Sequence, residues 1–145
     1  MNIINRKQIK INKENSISVL EWSNGQFELA HLQNGHVSYT VINDVITTSE
    51  NKLSEAIEDL ALEILAVELN KEFDVEVVET SLKIETFTYN VWIDVAYYKG
   101  TLTFNVETSH VGRLSDCGEF ADSVANKQIR KTFKGLVNYI EKFDR

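Results

Sequence analysis

The residues whose types and spacing could do chemistry are two histidines, one cysteine in a polar loop, and several close-set carboxylates. His31 and His36 flank the second Asn-Gly pair of NGQFELAHLQNG, residues 24–35. Two imidazoles on one face of a hairpin can share a metal, but zinc needs a third and a fourth donor, and none stands at a ligand-like spacing nearby. No metal or cofactor is expected, and the Asn-Gly pairs read as turns. Cys117 follows Ser115 and Asp116, with His110 and Arg113 in the same loop. Amides at a helix start lower a thiol pKa, so Cys117 with His110 is the sequence's one nucleophile-and-base arrangement. None of the residue patterns that surround a cysteine-protease nucleophile accompanies it, and Cys117 reads as a small hydrophobe at a helix start. Glu21 and Glu28 face each other if Asn24-Gly25 is a two-residue loop, a pair that could share a proton; the plainer reading is a solvated edge pair.

The carboxylates of the middle third are more informative. Residues 44–94 hold thirteen acidic and three basic side chains, against a net charge of −7 for all 145 residues. Glu55, Glu58, Asp59 and Glu63 recur at helical spacing and form an acidic patch. Trp92, Asp94 and Tyr98 alternate along one strand, opposite Glu107 on the next, so two large rings stand among acidic and polar groups. Aromatic residues on a polar sheet face commonly anchor interfaces. The acidic middle disfavours direct nucleic-acid binding, which needs a cationic footprint, and favours a protein partner with a basic surface.

These groups must be positioned by a single α+β domain over residues 1–145, a largely antiparallel β-meander of about six to seven strands with one central and one C-terminal helix. There is no proline and there are only six glycines, so no linker divides the chain. One cysteine excludes an internal disulfide. The stretch MNIINRKQIKINKEN lacks the apolar core of a signal peptide, and no segment has the apolar length of a membrane span. A cytoplasmic, non-membrane location is expected.

Alternation over residues 16–47, broken by Asn24-Gly25 and Asn34-Gly35, predicts a meander, preceded by a short strand around QIKIN. A two-residue loop at Asn34-Gly35 pairs Gln33 with His36 and Leu32 with Val37. That register groups Ala30, Leu32, Val37, Tyr39 and Val41 as a core face and leaves His31, Gln33, His36, Ser38 and Thr40 on the polar one. The same loop length at Asn24-Gly25 sets Trp22 opposite Phe27 and Leu20 opposite Leu29, unless a bulge shifts the pairing by one.

Ser49 is a fair helix cap, and Leu53, Ile57, Leu60, Ile64 and Val67 form an apolar stripe with Leu62, Leu65, Ala66, Leu69 and Phe73 on a second side. Period two returns from Val75, with a bend near Asn90 and a Lys99-Gly100 turn pairing Tyr97 with Leu102, Val95 with Phe104 and Ile93 with Val106. Asp116 and Glu119 resemble a capping box for a terminal helix reaching about Phe143. Its apolar stripe is Ile129, Phe133, Leu136, Val137, Ile140 and Phe143, and Lys127, Arg130, Lys131, Lys134 and Lys142 make its outer face basic. This helix is expected to cover the second side of the first.

No phosphate loop, CxxC pair, HExxH or GxSxG motif occurs. The expected function is that of a small acidic, non-catalytic interaction protein. It binds and blocks a partner with a basic surface, such as a nuclease or nucleic-acid-processing protein, in the manner of phage anti-defence (anti-CRISPR-like) or bacterial immunity proteins. Its partner-binding residues would be Glu55, Glu58, Asp59, Glu63, Trp92, Asp94, Tyr98 and Glu107. If the chain is phage-encoded, the host cytosol is where it acts. A homodimer is compatible with this reading, and the alternative is a protein acting as a closed oligomer that sequesters a small ligand or nucleotide with Trp92, Tyr98, Arg113 and the 108–118 loop. A third reading is an enzyme using Cys117 and His110.

Overall fold

A computed structural model describes residues 2–37, 45–86, 89–110 and 126–143. The fold is α+β, and the described residues form two antiparallel five-stranded sheets and two helices. The first sheet comprises β1 (Ile3–Lys10), β2 (Asn15–Trp22), β3 (Gln26–Gln33), β4 (His36–Val37) and β5 (Ile46–Ser49). It runs β1-β2-β3, and β4 and β5 both pair with β3, at opposite ends of it. A short 3-10 turn leads into helix α1 (Leu53–Leu69). The second sheet is a plain meander of β6 (Val75–Val78), β7 (Ser81–Glu85), β8 (Tyr89–Tyr98), β9 (Thr101–His110) and β10 (Asn126–Arg130), after which comes α2 (Phe133–Glu141).

Helix α1 touches β2, β3 and β5 of the first sheet and β6, β7 and β8 of the second. Its buried residues, from Leu60 and Ile64 round through Ile57, Ala61 and Leu65 to Leu69 and Leu62, cover roughly 200° of the helix at 100° per residue. An arc that wide cannot be covered by one sheet alone. The second side of α1 is therefore closed by the second sheet, where a helix was expected. What remains exposed is a strip with Glu55, Asp59 and Glu63.

The two-residue registers read from the sequence hold at two turns, and at the third the one-residue bulge named as the alternative takes their place. Asn34 and Gly35 have φ of 53° and 84°, and Lys99 and Gly100 have 51° and 81°, the paired positive values of a two-residue type I′ turn. Leu32 accordingly faces Val37, and Tyr97, Val95 and Ile93 face Leu102, Phe104 and Val106. At Asn24-Gly25 the loop holds three residues: Asn24 has negative φ and only Gly25 is left-handed, at 86°, the pattern of a type I turn with a glycine bulge. Glu21 then pairs with Phe27, Leu20 with Glu28 and Val19 with Leu29, so Glu21 and Glu28 do not face each other.

That one-residue shift exchanges the faces of the first sheet. Ile9, Ile17 and His31 form one inward row, and Lys7, Val19, Leu29 and Ile46 the next. Val37 is 48% exposed and Leu32 only half-buried, while His31 is 3% exposed. The face expected to be polar is the core. Tyr39, Val41, Ser38 and Thr40 lie outside the described residues.

The bend expected near Asn90 lies between β7 and β8, where the Thr86 amide and hydroxyl both donate to the Tyr89 carbonyl and Glu85 pairs with Asn90. One further correction concerns the second half. Asn126–Arg130, expected to be helical, is a strand on β9, with Gln128 opposite Val106 and Ile129 opposite Asn105. Ile129 therefore points outward at 63% exposure. The helix begins only at Phe133, after Thr132, whose hydroxyl accepts from the Gly135 amide. From there the expected stripe holds, with Leu136 and Ile140 fully buried.

A polar chain runs from the surface into the core. The Glu68 carboxylate accepts from Asn12 Nδ2 at 2.9 Å, Asn12 Oδ1 accepts from Asn15 Nδ2 at 3.0 Å, and Asn15 Oδ1 lies 2.6 Å from His31 Nε2. Lys71 completes it with an ion pair to Glu68 at 2.9 Å. Since a carboxylate can only accept, each amide is oriented in turn and His31 carries its proton on Nε2. His31 Nδ1 is buried with no partner among the described residues. Protonation there would bury an unmatched donor, and burial lowers the His31 pKa below 6.5, opposed by the Glu68 charge.

The sign of the pH effect follows. The unfolded chain gains a proton on His31 as pH falls below 6.5 while the folded chain does not, so this contribution is complete above 6.5 and declines below it. Urea unfolding between about pH 7.5 and about pH 5.5 should show wild-type stability falling more steeply than that of His31→Gln. Parallel slopes would contradict the assignment.

Candidate functional site: an acidic cavity beside an open sheet face

The first half of α1 presents Glu55, Glu58 and Asp59 toward the start of β7 and the middle of β8. With Thr80, Ser81, Asp94 and Val95 they line a cavity of about 340 Å³. Helical spacing puts the α1 carboxylates on neighbouring turns. Asp94 arrives because β7 pairs with β8 through Leu82 and Ile93, which sets Ser81 beside it, and the Ser81 hydroxyl donates to Asp94 Oδ1. Glu58 Oε2 accepts the Tyr97 amide at 2.8 Å, tying the helix to β8. Glu63 stands beyond Asp59 on the exposed strip, and its pKa is raised, first by lost hydration and then by the Asp59 charge.

The electrostatics of this region are uncompensated. Among the described residues the one ion pair is Lys71–Glu68, so Glu55, Glu58, Asp59, Glu63 and Asp94 meet no cation there. The lysines expected on the terminal helix do not neutralise them among those residues. Like charges four apart on a helix cost a few tenths of a kcal/mol, a small strain on the fold.

The remaining predicted partner-binding residues, Glu63, Trp92, Tyr98 and Glu107, do not line the cavity. Trp92, Asp94 and Tyr98 share the outward face of β8, with Glu107 opposite Trp92. Trp92 is half-buried beneath Lys83, whose ammonium lies 5.4 Å from the ring centre. Tyr98, at the hairpin tip, is 71% exposed. Four of the eight predicted residues thus converge on the cavity, Glu55, Glu58, Asp59 and Asp94. Thr80 and Ser81 were missed; their only signal was a polar pair at the turn between β6 and β7.

The residues of the alternative sites fall largely outside the described part of the chain. Cys117 and Arg113 lie outside the described residues, as do Asp116 and Glu119, and nothing is described of the His110 side chain. Among the described residues, no group of three or more His, Cys, Asp or Glu could hold a metal ion. No helix there is long and apolar enough to cross a membrane. The chain matches no protein-family model and none of the curated proteins compared with it.

Proposed function

We propose that the protein is a non-catalytic binding protein whose acidic cavity and neighbouring strip engage a partner with a basic surface. The observation that carries this reading is the absence of any countercharge, among the described residues, to five close carboxylates on one side of the molecule. A cavity of about 340 Å³ rimmed by carboxylates has the size and charge to accept a lysine or arginine side chain. The field around it would steer encounter, and Tyr98 supplies an exposed ring nearby on β8. Nucleases and other nucleic-acid-processing proteins present basic clefts, and inhibitors of the anti-defence and immunity-protein kinds act by occluding them; the likeness is one of charge and size.

Binding to immobilised nucleases at low and raised salt tests the reading. Glu55→Lys combined with Asp59→Lys should weaken association roughly tenfold or more at low salt and flatten its salt dependence. Glu58 is left in place because it holds the Tyr97 amide. Association indifferent both to salt and to the double reversal would refute it.

A further inference from the structure

A second cavity, of about 500 Å³, lies elsewhere, between the β1–β2 turn and the start of α2. Four lysines line it: Lys10 at the end of β1, Lys13 in the turn after it, Lys131 ahead of α2 and Lys134 in its first turn. In a chain of net charge −7 this concentration is unexpected, and the fold makes no use of it. Lys7, Lys83, Lys99 and Lys142 lie over the rings of Tyr97, Trp92, Tyr98 and Tyr139, and Lys71 pairs with Glu68. The four around the cavity have no hydrogen-bond, ion-pair or ring partner among the described residues. Glu14 is the single carboxylate in the lining.

Both carriers of these lysines are held rigidly. Asn12 Oδ1 accepts from the amides of Glu14 and Asn15, and its Nδ2 is bonded to buried Glu68, so the β1–β2 turn is anchored to α1. Thr132 caps Gly135 and fixes the entry to α2. The walls also offer buried Ile11 and half-buried Phe133. A surplus of ammonium groups on a fixed frame beside an apolar wall, at a volume within the usual range for small-molecule sites, suits an anionic ligand with an apolar part. We propose that this cavity binds a phosphorylated small molecule with a flat apolar body, of the nucleoside diphosphate class. Its phosphates would lie among the lysines, which act on them as point charges, and its base against Ile11 and Phe133.

This site is separate from the acidic cavity. Asn12 meets α1 at Glu68, whereas the acidic cavity uses Glu55 to Leu62, so the two lie toward opposite ends of the helix, and either proposal can fail alone. The test is calorimetric titration of the whole chain with the four ribonucleoside diphosphates, with pyrophosphate and adenosine as separate arms. At least one diphosphate should bind, pyrophosphate more weakly and adenosine not measurably. Lys131→Gln with Lys134→Gln, and Lys10→Gln with Lys13→Gln, should each weaken binding roughly tenfold or more, while Lys52→Gln leaves it unchanged. All four lysines are exposed, so folding should survive the changes. No binding by any diphosphate, binding that survives both double substitutions, or pyrophosphate binding as tight as the diphosphate would overturn the proposal.

Discussion

Asn12→Ala is expected to destabilise the fold by about 3 kcal/mol, although the residue sits in a turn. Its side chain makes four hydrogen bonds: Oδ1 accepts from the Glu14 amide, the Asn15 amide and Asn15 Nδ2, and Nδ2 donates to Glu68. Asn15 is 1% exposed and Glu68 8%, so alanine would strand buried partners that water reaches poorly. Each buried polar group left unmatched costs roughly 1–3 kcal/mol, more where a charge is involved, and Glu68 would retain Lys71 alone. Asn12→Asp separates the loss of a donor from the loss of shape: it would set a second carboxylate against Glu68 and should be at least as damaging at neutral pH, recovering as the solution is acidified. Urea unfolding with matched slopes measures both. A loss under about 1 kcal/mol for alanine would mean that solvent replaces the amide and the chain from Glu68 to His31 is not a structural unit.

That chain also marks where the sequence was legible and where it was not. The type I′ turns at Asn34-Gly35 and Lys99-Gly100 could be read because two consecutive positive φ values demand such residues. The same dipeptide at Asn24-Gly25 serves a three-residue loop, in which Gly25 alone is left-handed. Nothing in two letters separates these loops, and the one-residue difference decides which face of β2 and β3 is buried. His31 looked polar and outward by the shorter loop; it is inward, and tolerated there because Asn15 meets its Nε2.

The strand Asn126–Arg130 was hidden differently. Ile129 and Phe133 stand four apart, a helical interval that continues through Leu136 and Ile140, and only the free edge of β9 makes those residues extended. Tertiary pairing overrides local pattern here. The acidic cavity was half legible: α1 spacing groups Glu55, Glu58 and Asp59, whereas the approach of Asp94 depends on where β8 packs along the helix. The lysine cavity joins residues more than a hundred positions apart and left no periodic trace.

Leu65→Ala should be the most destabilising single truncation in α1, at about 3–5 kcal/mol. Leu65 is fully buried within the helix arc enclosed by two sheets, and neither sheet can settle into the gap without breaking its pairing with the strands beside it. The penalty therefore includes an unrelieved cavity as well as lost burial. Leu53, half-buried in the first turn of the same helix, provides the contrast: its truncation should cost roughly 1–2 kcal/mol, since part of the side chain already meets water. Equal losses at the two positions would mean that α1 is not clamped between the sheets. The same substitution also separates scaffold from surface. Leu65 lines no part of the acidic cavity, so under conditions where Leu65→Ala remains folded its binding to a basic partner should match wild type, while Glu55→Lys with Asp59→Lys loses binding at nearly unchanged stability.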